Sequence, residues 1–186
     1  MHPYHARRNS KQRLAAITEY LGDREGFTVL ELGALDGYFS KHLAETHKAQ
    51  CTAVDDNPHL QESPGVTVVQ DRLSATAIRK LGPFDVALCL SVLHHLPQWK
   101  ATLNALLDAA PVVIVESAHP DEALPKAGNH KASADILAAI ENAGGVAVAE
   151  HPGYDQRYRR SLFVIDRTEP EAEADSGDLL ESPPEE

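Results

Sequence analysis

Apolar strands that alternate with helical segments, and a last pair of strands too close together to hold a helix between them, predict an α/β fold. Each strand is an unbroken apolar run, so both of its faces are covered, as in a parallel sheet with helices on either side. The short final connection predicts an antiparallel closing pair, because a parallel return needs a crossover of a dozen or more residues. The expected architecture is a three-layer sandwich around a mostly parallel seven-stranded sheet whose last strand is reversed.

Ser10 precedes a segment with Leu14, Ile17, Thr18 and Leu21 on one helical face, and Gly22 follows it, the pattern of a capped amphipathic helix. Val29 to Leu32 is a short apolar run broken by Gly33, which predicts a buried strand, and Phe39 and Leu43 begin the next helix. Cys51 to Val54 is a second strand ending in "DDNP", Val66 to Val69 a third ending in "QD", and Phe84 to Leu90 a longer fourth. Gln98 to Ala109 carries Trp99, Leu103, Leu106 and Leu107 on one helical stripe, with Pro97 near the start, where a missing N–H is tolerated. "PVVIVES" is the fifth strand, and Ile136, Leu137, Ile140 and Ala143 mark a helix ended by Gly144 and Gly145. Val146 to Glu150 and Ser161 to Asp166 form the closing pair, about ten residues apart.

Charge is unevenly spread. The formal net charge is −11, but the last nineteen residues, Thr168 to Glu186, hold eight acids and no base, which leaves about −3 for residues 1–167. The expected organisation is one domain over 1–167 and a disordered acidic tail over 168–186, which has almost nothing to bury. No stretch approaches the ~20 apolar residues of a membrane helix, and "MHPYHARRNS" lacks the apolar core of a signal peptide. A soluble, cytoplasmic protein is expected. Cys51 and Cys89 fall on strands with a third between them, so their backbones would lie about 9 to 10 Å apart, beyond the ~7 Å reach of a disulfide. Both are expected to be buried free thiols.

In an open parallel sheet, ligands collect at the carboxyl ends of the strands, near the point where strand order reverses. The first strand feeds Gly33-Ala34-Leu35-Asp36-Gly37, where two glycines let the backbone approach a ligand closely. Asp55, at the end of the second strand, is placed to accept hydrogen bonds from both hydroxyls of a ribose, which points to an adenosine cofactor. A dinucleotide site would carry G-x-G-x-x-G, and Glu31 beside a pyrophosphate would be unfavourable. Glu31 suits a cofactor bearing an amine and a sulfonium, so NAD is disfavoured.

"VLELGALDGYFS", "AVDDNP", "VVQD" and "FDVALCLSVLHHL" resemble the successive motifs of class I S-adenosylmethionine-dependent methyltransferases. The likeness runs from about residue 10 to residue 167. It implies a Rossmann-like seven-stranded sheet with a reversed final strand, and S-adenosylmethionine as cofactor. Glu31, Gly33, Ala34 and Gly37 would approach the methionine end, Asp55 the ribose and Asp71 the adenine amino group, with Asp56 or Arg72 flanking the base. Leu90 and Ser91 would line the reactive methyl. Many family members carry glycine where this chain has Leu35, which bears on the path of the loop.

A sulfonium is already an activated methyl donor, so alignment in a dry site supplies much of the catalysis. A hydroxyl or ammonium acceptor must still lose a proton, and His94, His95 and His119 are the candidate bases; in relatives, the histidine of "HHL" also serves to bond the backbone of the following helix. Glu116 lies on the same rim as His119. The segment "HPGYDQRYRR" brings Tyr154, Arg157, Tyr158, Arg159 and Arg160 to the ligand end, and Tyr4, Arg7 and Arg8 could fold over the same mouth. Arginine forks match carboxylate and phosphate, so an anionic or planar acceptor is indicated, unless these arginines pair with Asp155 or the tail. None of the ten histidines has a metal-binding spacing, and no metal is expected. Nucleic acid is disfavoured: no N-P-P-Y follows the fourth strand, Cys89 lacks a preceding proline, and the body offers little basic footprint.

The leading expectation is methyl transfer to an oxygen or nitrogen of a small or medium-sized, anionic or planar acceptor. The alternative is a non-catalytic module of the same fold, acting as a binding or assembly partner through its acidic tail.

Overall fold

The computed structural model describes residues 9–72, 74–122 and 130–168. Tyr4, Arg7, Arg8 and the tail from residue 169 lie outside them. Strands β1 (Thr28–Leu32), β2 (Gln50–Val54), β3 (Val66–Val69), β4 (Val86–Leu90), β5 (Val112–Glu116), β6 (Val146–Pro152) and β7 (Arg159–Asp166) form one seven-stranded sheet in the order β3-β2-β1-β4-β5-β7-β6. Every pairing from β3 to β5 is parallel, and β7 runs antiparallel to both β5 and β6. The fold is therefore the Rossmann-like sandwich that the sequence implies.

The apolar runs are unbroken because successive residues enter two different cores. Leu30, Leu32, Ala87, Cys89, Val113 and Val115 pack on one face, against α3 (Ala75–Lys80), α4 (Trp99–Ala109) and α5 (Ser133–Asn142). Val29, Val86, Leu88, Val112 and Ile114 pack on the other, against α1 (Ser10–Leu21) and α2 (Tyr38–His47). A strand buried on both faces has no polar side to alternate with. Cys51 on β2 and Cys89 on β4 flank β1 as free, buried thiols, and burial pushes both up to about 12.

Several boundaries and faces differ from expectation. The fourth strand starts at Val86 rather than Phe84, whose N–H is taken by Ala109 outside the sheet. The buried stripe of α1 is Ser10, Arg13, Ile17 and Leu21, whereas Leu14 and Thr18 are only half-buried. Ser10 is the first helical residue, and Asn9 takes the cap position with its side-chain amide donating to the Pro152 carbonyl at 2.7 Å. Helix α3 has no apolar stripe in the sequence because six residues suffice to bury only Ile78. The closing strands are longer than expected and leave residues 153–158 as their loop.

One irregularity matters for the site. In the β6–β7 ladder Ala147 pairs with Phe163 and Ala149 with Leu162, so Val148 is an extra residue, a β-bulge. A one-residue slip sends every later side chain to the other face. Beyond the bulge, His151 shares the face of its partner Arg160 and points toward β5.

Candidate active site

Strand order turns outward on either side of β1 and β4, the switch point at which ligands bind in such sheets. The turn after β1 is held by the Val54 carbonyl, which accepts N–H bonds from Gly33 at 2.8 Å and Ala34 at 3.0 Å. Gly33, Leu35 and Gly37 all have positive φ, at 77°, 56° and 75°. Leu35 thus keeps the left-handed backbone that the family's glycine would adopt freely. At Gly33 the demand is also steric: a Cβ would lie 2.3 Å from Val92 Cγ2. The segment leaving β4 therefore lies directly over the loop leaving β1.

Glu31 is buried on the α2 side and accepts the N–H of Ser40 at 2.9 Å and its hydroxyl. Burial raises its pKa to about 7, the negative charges of Asp36 and Asp55 add to the rise, and the Ser40 bonds oppose it. Three carboxylates thus converge at the loop, and a cationic ligand would relieve them. Asp55 is half-buried; its two oxygens accept the N–H of Leu35 at 2.8 Å and of Asn57 at 2.9 Å. Each carboxylate oxygen keeps a further lone pair for a ribose hydroxyl. Asp56 and Arg72, expected on either side of the base, form an exposed ion pair with each other, and Asp71 is exposed beside them, accepting the Arg72 N–H at 2.7 Å. Ala34 is buried. These residues fit an adenosyl group that carries positive charge.

The other half of the rim is a buried network that joins six chain segments. Glu116, at the end of β5 and 1% exposed, takes the Ser91 hydroxyl on one oxygen and His151 Nε2 on the other. Arg13 of α1 and Arg160 of β7 approach the same carboxylate at 3.7 and 3.6 Å. Burial alone would raise Glu116, but the His151 bond, the charges of Arg13 and His151, and the Ser91 bond hold it down at about 2. Arg160 also grips Glu122, with Nε and Nη2 at 2.7 and 3.0 Å from its two oxygens, and donates from Nη1 to Ser91 Oγ at 2.9 Å. Glu122 is fully buried and accepts the Asp155 N–H at 3.0 Å; a Cβ on Gly153 would lie 2.6 Å from it.

Arg13, Glu122 and His151 were not among the residues singled out for the site; Arg160 was, as part of a basic rim for the acceptor, whereas the structure buries it against Glu122. One signal was available for Arg13, a charge in phase with Ile17 and Leu21 on an otherwise apolar stripe. Glu122 looks like a surface charge, since its partner Arg160 lies far along the chain.

The candidate histidines separate. His94 is buried, His95 is exposed, and His119 stacks on Tyr158 with ring centroids 4.9 Å apart. Partial desolvation by the atoms around its ring, although solvent still reaches it, and then the charge of Arg160 lower the pKa of His95. Leu90 and Ser91 are half-buried at the mouth, and Ser91 has a left-handed backbone at φ 61°. Tyr154 is exposed. The arginines of the hairpin are spent on acids: Arg157 lies exposed against Asp155 at 2.6 Å, Arg159 against Glu150 at 3.1 Å, and Arg160 against Glu122. The structure therefore does not present Arg157 as a free fork for an anion. Glu116, expected to touch substrate, is instead enclosed by its own partners. Among the described residues no group of three His, Cys, Asp or Glu side chains could hold a metal ion, and no helix is long and apolar enough to cross a membrane.

Residues 4–160 match the family described as a methyltransferase domain, and the chain belongs to that family, the class I enzymes that use S-adenosylmethionine as methyl donor. Solved structures of similar fold include magnesium protoporphyrin IX methyltransferase from Synechocystis PCC 6803 with bound S-adenosylhomocysteine, at TM-score 0.65 and 19% identity, covering 89% of this chain and 86% of that one. A methyltransferase from Aquifex aeolicus aligns at TM-score 0.54 and 17% identity, covering 82% of this chain and 89% of its own. The Mtq2–Trm112 complex of E. cuniculi, responsible for methylation of a translation termination factor, aligns at TM-score 0.57 and 11% identity, over 86% and 95%. No curated protein matches the sequence.

Proposed function

We propose that this methyltransferase carries a methyl group to an oxygen or nitrogen of a small or medium-sized acceptor at the rim formed by β1, β2, β4 and β5. The observation that carries the reading is the convergence of Glu31, Asp36 and Asp55 on a left-handed loop crossed by the β4 segment. S-adenosylmethionine supplies a methyl already activated on sulfur. Asp55 holds the ribose, Asp71 meets the adenine amino group, and the Asp56–Arg72 pair borders the base. Glu31 gives the cofactor's positive end a negative field, Gly33 and Gly37 admit it close to the backbone, and Leu90 and Ser91 bound the methyl.

On the acceptor side, His95 takes the proton that the acceptor loses, since its lowered pKa leaves it unprotonated at neutral pH. His119 and Tyr158 form an aromatic wall, with Tyr154 as a further contact. The neighbours' names support a range of acceptors: one acts on a porphyrin and another modifies a protein factor. A small-molecule acceptor suits this chain best, because its wall is aromatic and, among the described residues, the arginines of the β6–β7 hairpin are paired with acids.

Calorimetric titration with S-adenosylmethionine, S-adenosylhomocysteine and NAD tests the cofactor half. Micromolar binding of the adenosyl compounds without NAD is expected. Asp55→Ala removes charge-assisted hydrogen bonds worth roughly 1.5–3 kcal/mol, or about ten- to a hundred-fold in affinity. Parental affinity in that variant would show the ribose placement to be wrong.

A further inference from the structure

The network around Glu116 fixes which way the Ser91 hydroxyl points. A hydroxyl has one hydrogen to donate and two lone pairs. Glu116, with its four partners, is ionised at neutral pH and only accepts, so the Ser91 hydrogen is committed to it. Arg160 only donates, so one Ser91 lone pair is committed to Nη1. A second clamp acts through the backbone, where the Ser91 N–H bonds the Glu116 carbonyl at 3.0 Å. Ser91 itself is half-buried and adjoins Val92, which lies over Gly33.

We propose that Ser91 selects the methyl acceptor by polarity: it presents a single lone pair to the mouth of the site, and so orients an acceptor atom that carries N–H or O–H, an amine or alcohol rather than a carboxylate or phosphate. This rests on the placement of the methyl beside Ser91 given above. The surroundings point the same way. An anionic acceptor would bring oxygen lone pairs against that of Ser91 and approach the Glu116 charge, while Arg157, Arg159 and Arg160 are held by Asp155, Glu150 and Glu122. Among the described residues, the charged and titratable groups of the network around Ser91 are Glu116 from β5, Arg160 from β7, Glu122 from the loop after β5, His151 from β6 and Arg13 from α1, with His95 in the turn after β4.

In the transfer, the acceptor nitrogen or oxygen donates its N–H or O–H to Ser91 Oγ and turns its own lone pair to the methyl carbon. The new C–N or C–O bond forms as the C–S bond breaks, the bonding pair remaining on sulfur as a neutral thioether. An ammonium acceptor first gives one proton to His95 or to water, which frees its lone pair while a remaining N–H stays on Ser91; an alcohol's single hydrogen leaves Ser91 Oγ for His95 or water once the C–O bond has formed and the oxygen carries positive charge.

The test uses the full chain saturated with S-adenosylhomocysteine and three probes on one scaffold: phenethylamine, phenethyl alcohol and phenylacetate. Calorimetry and amide chemical shifts of Ser91 and Val92 report binding, and thioether formation from S-adenosylmethionine reports turnover. The amine and the alcohol are expected to bind at least tenfold more tightly than the acid. Ser91→Ala should weaken the alcohol by roughly two- to tenfold, the loss of one neutral hydrogen bond. Glu116→Gln lets an amide N–H donate to Ser91 and frees the Ser91 hydrogen, so the preference over phenylacetate should narrow, an effect that mere loosening of the fold would not produce. Preference for the acid, no binding by amine or alcohol, or an unchanged preference in both variants overturns the assignment. If the parent binds neither adenosyl compound, it is the cofactor reading that falls, and this one with it.

Discussion

Glu31, one residue before the end of β1, and Glu116, at the end of β5, lie on the same face of the sheet and are both buried, yet they are driven in opposite directions. Around Glu31, burial and the nearby acids win, and the carboxyl rises to about 7. Its folded-state value then exceeds its unfolded value of about 4.5, so the stability linked to its protonation is present below about 4.5 and lost as pH rises through 7. Glu31→Gln, which cannot ionise, is expected to be more stable than the parent at pH ~8 by up to about 3 kcal/mol, and by much less at pH ~5. Urea denaturation at the two values checks this. The same variant should bind S-adenosylmethionine more weakly, since the field for a cation is gone.

At the scale of elements, the β6–β7 hairpin is fastened to the body by Arg160. Arg160→Ala leaves Glu122 buried without its counter-charge, a change that costs about 3–5 kcal/mol. Adding Glu122→Gln removes the stranded charge and should recover much of that loss. A double-mutant cycle on thermal unfolding would show the coupling, and simple additivity would mean the two side chains do not act together. Such elements divide into those legible in the sequence and those that are not. Strands β1 to β5 were legible because burial on both faces writes a continuous apolar run, and Asp55 and Asp71 were legible because motif order places them at strand ends. Helix α3 was not, since it buries one side chain. The Glu116 network was not, because Arg13, Ser91, Glu122, His151 and Arg160 meet only after the sheet is assembled. The Val148 bulge, invisible as a pattern, decides that His151 belongs to it.

For the whole molecule, the two carboxylates give stability a shaped response to pH. Glu116 has a folded value depressed to about 2, so the stability it contributes is present above about 4.5 and lost as pH falls toward 2. Glu31 acts in the opposite sense between about 4.5 and 7. Together they predict a maximum near the lower end of that window, with a decline of similar slope toward neutral pH and toward acid. Urea midpoints taken from pH ~3 to ~8 would trace it, and a curve flat between about 4.5 and 7 would show that Glu31 is not held as described.

Among the described residues the sheet ends on β6, an edge seven residues long with Val146 and Val148 65% and 42% exposed. A flat apolar edge is a template on which a second chain can pair and aggregate. The extra residue at Val148 twists this edge out of register with any straight strand, and Glu150 with Arg159 adds charge to it. The same irregularity that turns His151 inward therefore works against edge-to-edge pairing. Deleting Val148 should undo both at once: it straightens the edge, and light scattering should then report self-association that grows with concentration.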